Sequence, residues 1–206
     1  MTTRIKFCGL TRQQDVLEAA QMGVHAIGLV FHPDSPRAVD VQQAQGLSRV
    51  CSPFITRVGL FMNQDASTIT HVLKHVELDI LQFHGEEPED YCVSFNKPYL
   101  KSIAMGGKTP DEIPEYSSAQ AYLLDSNELG QPGGSGKAFD WGNIPKNINK
   151  PVIVAGGLSP DNVTLAIQSI QPYAVDVSSG IESAKGIKDS EKMKNFINSV
   201  RVADEC

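Results

Sequence analysis

Cys8 closes an apolar run at the start of the chain and is followed at once by Gly9. As a thiolate it could act as a base or a nucleophile, which requires a lowered pKa. As a thiol it would be a small buried hydrophobe. Alternation along a strand puts Lys6 on the same face, where its ammonium either stabilises such a thiolate or pairs with Asp176 late in the chain. Asp125 ends the run Tyr122-Leu123-Leu124. A carboxylate there must be solvated, paired or functional, because a buried unpaired charge is costly. Apolar surroundings would make it a usable acid, and a loop cap is the plain alternative. Arg37, in Asp34-Ser35-Pro36-Arg37, offers a planar fork for a carboxylate, or is simply solvated. His84 shares a strand face with Gln82 and is a candidate for lining the same place, or an ordinary polar strand end.

Two turns add a different chemistry. Ala155-Gly156-Gly157-Leu158 and Ser178-Ser179-Gly180 each follow an apolar run. Glycine lets backbone N–H groups approach a phosphate closely, and a helix start adds partial positive charge. The glycines could also merely shape tight turns. Two such turns in consecutive units favour a phosphate site at Gly156, Gly157, Ser179 and Gly180. His71 and His75 stand four apart but lack the glutamate of an HExxH pair and an evident third ligand, so no metal is expected.

These residues need elements to carry them. Short apolar, often β-branched runs cover 4–8, 25–31, 56–61, 79–83, 99–103, 121–124, 151–155 and 173–177, as strands buried on both faces do. Between them runs the helical period. Ile69, Val72, Leu73 and Val76 follow it, as do Val163, Ala166, Ile167 and Ile170, and Met193, Phe196, Ile197 and Val200. Thr11 with Gln14 reads as a capping box, and Ser159-Pro160 as an N-cap followed by proline at the first helical position. Pro114 and Pro145 would interrupt the fifth and sixth helices, so short or irregular turns are expected there. Alternating units fit an open doubly wound sheet or a closed barrel. Eight strands favour the barrel, an α/β (β/α)8 TIM barrel occupying residues 1–206 as one domain. In a barrel, Cys8, Arg37, His84, Asp125 and both glycine turns fall at the carboxyl ends of strands.

Bulk properties exclude other classes. The chain has 206 residues, 41% of them hydrophobic, with a formal charge of −6. An acidic balance argues against a broad nucleic-acid surface. No apolar run reaches bilayer length, and no signal core is evident, so a cytoplasmic protein with no membrane partner is expected. The four cysteines are scattered and form no CxxC pair, which fits a reducing compartment.

Whole strings of the chain resemble phosphoribosylanthranilate isomerases of tryptophan biosynthesis. They include Lys6-Phe7-Cys8-Gly9-Leu10-Thr11, Phe31-His32-Pro33-Asp34-Ser35-Pro36-Arg37 and Gln82-Phe83-His84-Gly85. They continue through Leu124-Asp125-Ser126, Gly133-Gly134-Ser135-Gly136-Lys137-Ala138-Phe139-Asp140-Trp141, Ala155-Gly156-Gly157-Leu158 and Val175-Asp176-Val177-Ser178-Ser179-Gly180-Ile181-Glu182. The resemblance spans the chain; Phe83 stands where the family often has leucine. It implies that Cys8 is a general base and Asp125 a general acid. It further implies that Arg37 contacts an anthranilate carboxylate, that Asp176 helps position the sugar, and that the glycine turns hold phosphate. Segment 133–141 would be a long loop beside the site. The implied reaction is a cofactor-free Amadori rearrangement of a small phosphosugar, by a monomer or a homodimer. Other readings are the sister isomerase of histidine biosynthesis, indole-glycerol-phosphate synthase and a noncatalytic phosphosugar receptor. The first typically has aspartate where Cys8 stands and phosphate turns in both halves. Here Phe61-Met62-Asn63-Gln64-Asp65 carries no glycine turn.

Overall fold

The structure, a computed structural model, describes residues 2–106, 113, 115–126, 140–145 and 147–205. Eight parallel strands close on themselves in chain order: β1 (Arg4–Cys8), β2 (Ala26–Val30), β3 (Thr56–Phe61), β4 (Ile80–Phe83), β5 (Tyr99–Ala104), β6 (Ala121–Asp125), β7 (Val152–Val154) and β8 (Ala174–Val177). Helices α1 (Gln13–Met22), α2 (Val41–Val50), α3 (Ala66–His75), α4 (Glu89–Val93), α5 (Val163–Ile170) and α6 (Ser190–Glu205) lie outside. This is the (β/α)8 barrel, and the open sheet is excluded. Among the described residues no α-helix joins β5 to β6 or β6 to β7; a 3-10 turn, Trp141–Asn143, precedes Pro145. Pro114 and most of segment 133–141 lie outside the described residues.

Each strand sends alternate side chains to opposite faces, and the two faces have different compositions. Outward residues such as Phe7, Leu29, Phe61, Phe83 and Val175 join the buried faces of the helices in one continuous apolar layer. Ile69 and Val72 of α3, Val163, Ala166 and Ile167 of α5, and Met193, Phe196, Ile197 and Val200 of α6 supply the helical side, as their spacing requires. Inward residues near the strand starts, among them Val58, Leu100, Ala121, Leu123, Ile153 and Ala174, make a second, smaller apolar plug. One layer further toward the carboxyl ends, the interior turns polar: Lys6, Gln82, Ser102 and Asp176 are all buried.

Closure brings the first and last strands together, with Lys6 opposite Asp176. Their side chains meet, Lys6 Nζ donating to Asp176 Oδ2 at 2.8 Å. Of the two partners open to Lys6 in the sequence, it pairs with the carboxylate and also acts on the Cys8 sulfur.

The helix starts differ from expectation in two places. Helix α1 begins after Arg12, with no side-chain cap. The Thr11 hydroxyl instead donates to the Gly186 carbonyl, so the capping box does not form. Helix α5 begins at Val163, three residues after Pro160. Asn162 folds back, its Oδ1 accepting the Ser159 N–H and its Nδ2 donating to the Gly157 carbonyl. Those bonds hold residues 160–162 as a turn and spend the Ser159 segment on the adjoining loop. Elsewhere caps form normally: Asp40 accepts from Gln43 N–H and Asp65 from Thr68 N–H.

After β8 the chain makes an addition that the strand pattern did not signal. A 3-10 turn, Ser179–Ile181, leads into a two-stranded antiparallel hairpin, β9 (Glu182–Ala184) and β10 (Ile187–Lys188). It docks on the start of α1, where Arg12 donates to Asp15 and to the Lys188 carbonyl.

Removing one partner of the seam pair leaves a buried charge alone. Lys6→Met should lower the unfolding free energy by about 3–5 kcal/mol in a denaturant titration. Adding Asp176→Leu should return much of that loss. A Lys6→Met protein as stable as the parent would show that the seam does not rely on the pair.

Candidate active site

The carboxyl ends of the strands surround a cleft. Cys8, Arg37, His84, Asp125 and Asp176 all line it, together with Gly156, Gly157 and Ser179. Every candidate but Gly180 therefore reaches one wall or another of a single cleft. Gly180 packs just behind, where an added Cβ would collide with the Leu158 carbonyl. The two glycine turns are thus in direct contact with each other.

Strand geometry accounts for the placements. Cys8 ends β1 opposite Gly28 of β2. A Cβ on residue 28 would lie 2.7 Å from Cys8 Sγ, so glycine there makes room for the sulfur. Arg37 reaches the mouth from the loop after β2 and folds across Gly9, where a Cβ would meet Arg37 Cδ at 2.5 Å. Gly9 also needs its positive φ of 71°. Gly156 and Gly157 have φ of 78° and 64°, two consecutive left-handed residues that a strand-to-turn reversal demands.

The polar layer beneath is only partly satisfied. The His84 ring Nδ1 lies 3.1 Å from Gln82 Nε2 and 3.0 Å from Ser102 Oγ. His84 Nε2 stands 3.6 Å from Asp125 Oδ2, too far for a good hydrogen bond. That ring nitrogen, Asp176 Oδ1 and Gln82 Oε1, all on residues lining the cleft, are buried without a hydrogen-bond partner. Buried polar atoms are normally paired, so this cluster at one cleft marks a place prepared for a polar ligand.

Burial sets the charges. It lowers the His84 pKa, with Asp125 opposing, so the ring is neutral near pH 7. Burial also raises the Cys8 pKa, against the pull of Lys6 and Lys188 and with the help of Asp176. Lys6 acts in the expected direction, favouring the anion, but burial outweighs it. Burial works against the Lys6 ammonium, but Asp176 and Cys8 outweigh it and raise its pKa. Lys6 and Asp176 therefore form an ion pair, and Lys6 still favours the anionic sulfur, though less strongly than burial opposes it.

Arg37 is also committed further than its loop position suggests. Its Nε and Nη2 donate to the two carboxylate oxygens of Glu182 at 2.7 and 2.8 Å. Glu182 in turn accepts from Lys188 Nζ at 2.9 Å. Neither Glu182 nor Lys188 was found by reading strand ends, since both belong to the added hairpin. The only sequence signal was the Gly-Ile-Glu string after the second glycine turn. His71 and His75 sit with ring centroids 4.5 Å apart on α3, away from this cleft.

Comparison with known proteins points one way. Residues 5–199 match the sequence profile of the N-(5'phosphoribosyl)anthranilate (PRA) isomerase family. The chain is 50% identical over 202 residues to N-(5'-phosphoribosyl)anthranilate isomerase of Nitrosococcus oceani, covering 97% of this chain and 98% of that one. It superposes with a TM-score of 0.86 on the crystal structure of phosphoribosyl anthranilate isomerase from Thermus thermophilus, at 33% identity, covering 97% and 99% of the two chains. A further phosphoribosyl anthranilate isomerase, solved in complex with reduced 1-(o-carboxyphenylamino)-1-deoxyribulose 5-phosphate, matches with a TM-score of 0.78 at 30% identity over 97% and 99% of the chains.

The contact between Gly28 and Cys8 is tight enough to test directly. Gly28→Ala should displace the sulfur and destabilise the fold by about 1–3 kcal/mol, the range for overpacking. Thermal unfolding and the rate of Cys8 labelling by a thiol probe would both change. An unaltered labelling rate would show that the sulfur does not depend on that space.

Proposed function

The chain belongs to the N-(5'-phosphoribosyl)anthranilate isomerase family, and from that membership we propose a role for each side chain at the cleft. Its reaction is the Amadori rearrangement of N-(5'-phosphoribosyl)anthranilate to 1-(2-carboxyphenylamino)-1-deoxyribulose 5-phosphate, a step of tryptophan biosynthesis. The observation that carries the assignment of roles is convergence: a thiol, a carboxylic acid, an arginine fork and two glycine turns open onto one cleft.

The substrate has an anion at each end. In our reading the Gly156, Gly157, Ser179 and Gly180 backbone receives the phosphate, at the loops after β7 and β8 and the short extra turn that barrels often use for it. Arg37 receives the anthranilate carboxylate. Glu182 occupies Nε and Nη2 of its fork, so the contact falls on the remaining guanidinium edge, held at a fixed angle. Asp176 has one oxygen on Lys6 and the other unpartnered toward the cleft, which suits a sugar hydroxyl. His84, neutral and with Nε2 unpartnered, supplies a further contact beside Asp125.

The chemistry then divides between two groups. Asp125 gives a proton to the furanose ring oxygen, the C1–O bond breaks, and the nitrogen lone pair forms the C1 iminium. Cys8 as thiolate removes the C2 proton, and the electron pair moves to make the enolamine. A proton returns at C1 as the enol becomes the C2 ketone. Atoms and oxidation level are conserved overall, so the steps need proton transfers alone. The iminium is a cation formed close to Cys8, and it favours the thiolate when it is needed. In our reading residues 1–206 act as one domain in the cytoplasm, as a monomer or a homodimer. No helix among the described residues is long and apolar enough to cross a membrane.

The primary test is turnover: purified protein mixed with freshly generated phosphoribosylanthranilate should extinguish its fluorescence. Cys8→Ser and Asp125→Asn should each reduce kcat by roughly 10²–10⁴-fold, the usual contribution of a positioned base or acid. Both should still bind a product analogue. Full turnover by Cys8→Ser would reject the assigned base.

Binding residues should separate from these in KM. Gly157→Val forces a branched side chain into a left-handed backbone and should raise KM by weakening the phosphate site. Arg37→Ala should lose preference for substrates bearing the ring carboxylate, with Arg37→Lys recovering part of it. Normal KM in both variants, with the fold intact, would place the two anions elsewhere.

A further inference from the structure

The cations around Cys8 are not equally available to it. Among the described residues, four charged side chains act on the sulfur: Lys6 of β1, Asp176 of β8, Arg37 of the loop after β2 and Lys188 of β10. Asp125 and His84 line the same cleft, and the ring is neutral near pH 7. Lys6 pairs with Asp176 across the barrel seam, and Asp176 offsets part of the pull of Lys6 on the sulfur. Arg37 and Lys188 share the single carboxylate of Glu182. Two cations on one anion leave a net charge of about +1, buried in a low-dielectric setting where it acts at longer reach than at a surface. Lys192 touches Glu182 only through its main-chain carbonyl and is exposed.

The hairpin holds this cluster in register with the sulfur. The Lys188 side chain is wholly buried, and its Nζ donates to the Ser178 carbonyl at 3.0 Å and lies 3.4 Å from Ser178 Oγ. Ser178 Oγ in turn donates to the Cys8 carbonyl at 3.0 Å. Lys188 is also fastened from behind: its N–H faces Asp15 of α1, and its carbonyl accepts from Arg12. A purely structural ion pair would need one cation for one carboxylate. Here the second cation is buried, shares its carboxylate with Arg37 among the described residues, and is tied to the residue that carries the thiol.

We propose that Lys188 is a positioning residue for catalysis, and that the Arg37–Glu182–Lys188 cluster supplies the net positive field in which Cys8 ionises. Glu182 sets the size of that field and fixes the Arg37 fork at the same time. Carboxylate recognition and thiolate formation are thereby joined through one hairpin. The proposal rests on Cys8 being the base, as assigned above.

Charge counting gives the test its signs. Lys188→Met takes the cluster from about +1 to zero, and Glu182→Gln takes it to about +2. The readout is the pH midpoint of Cys8 alkylation by iodoacetamide, followed on the Cys8 peptide by mass spectrometry so that Cys51, Cys92 and Cys206 do not contribute. Lys188→Met should raise the midpoint by at least about one pH unit, slowing alkylation roughly tenfold below it. Glu182→Gln should lower the midpoint while raising KM, because Arg37 loses its clamp. The double variant restores the sum and should bring the midpoint back toward the parent value. An unmoved midpoint in Lys188→Met, or shifts of the same sign in both single variants, would overturn the proposal. If Lys188→Met does not fold, Glu182→Gln and the double variant carry the sign test. Alkylation needs no turnover, so the result stands apart from the role of Cys8: a wrong base would show instead as full turnover by Cys8→Ser.

Discussion

The seam between β1 and β8 is where fold and site become one problem. Closing the barrel places Lys6 opposite Asp176, and the two charges can be buried only because they meet there. The same closure aligns Cys8, one pleat above Lys6, with the loops after β7 and β8. An unclosed sheet would leave both charges without partners and the cleft without a wall. The polar layer above the apolar plug is therefore no decoration on a finished barrel; it exists only in the closed state.

That layer is costly, and the cost is concentrated at the cleft. His84 Nε2, Asp176 Oδ1 and Gln82 Oε1 are buried without a partner in the protein, an arrangement that costs stability. The outer layer of Phe7, Phe61, Phe83, Phe196 and their neighbours offsets it with dense apolar packing. Stability thus resides between strands and helices, while the interior near the strand ends is left free for chemistry. The buried Lys101–Glu87 pair serves the same division. It ties β5 to the loop that follows His84, and so steadies a site residue from outside the cleft.

The hairpin after β8 performs a similar service on the other side. Through Glu182 and Lys188 it engages the arginine loop, the end of β8 and the start of α1. Each of these contacts would add little stability if it were exposed. Gathered in one buried cluster, they orient two functional groups at once. The glycine approaches at Gly9, Gly28 and Gly180 allow the loops to close tightly enough for that cluster to form.

The sequence by itself determined the barrel's elements and much of its cleft. Strand positions, the helix faces of α3, α5 and α6, and the shared face of Lys6 and Cys8 follow from periods of two and 3.6, which depend only on near neighbours. The carboxyl-end placement of Asp125, His84 and the glycine turns then follows from parallel topology. What only the tertiary structure decided are pairings between residues far apart in the chain. Thr11 serves Gly186 rather than its own helix, and Arg37 meets Glu182 across 145 positions. Asn162 turns back on the Gly157 loop and delays α5. The charge felt by Cys8 belongs to this group as well. It is set by burial and by which cations have been neutralised elsewhere, and no local pattern of residues encodes a sum taken over four separate elements.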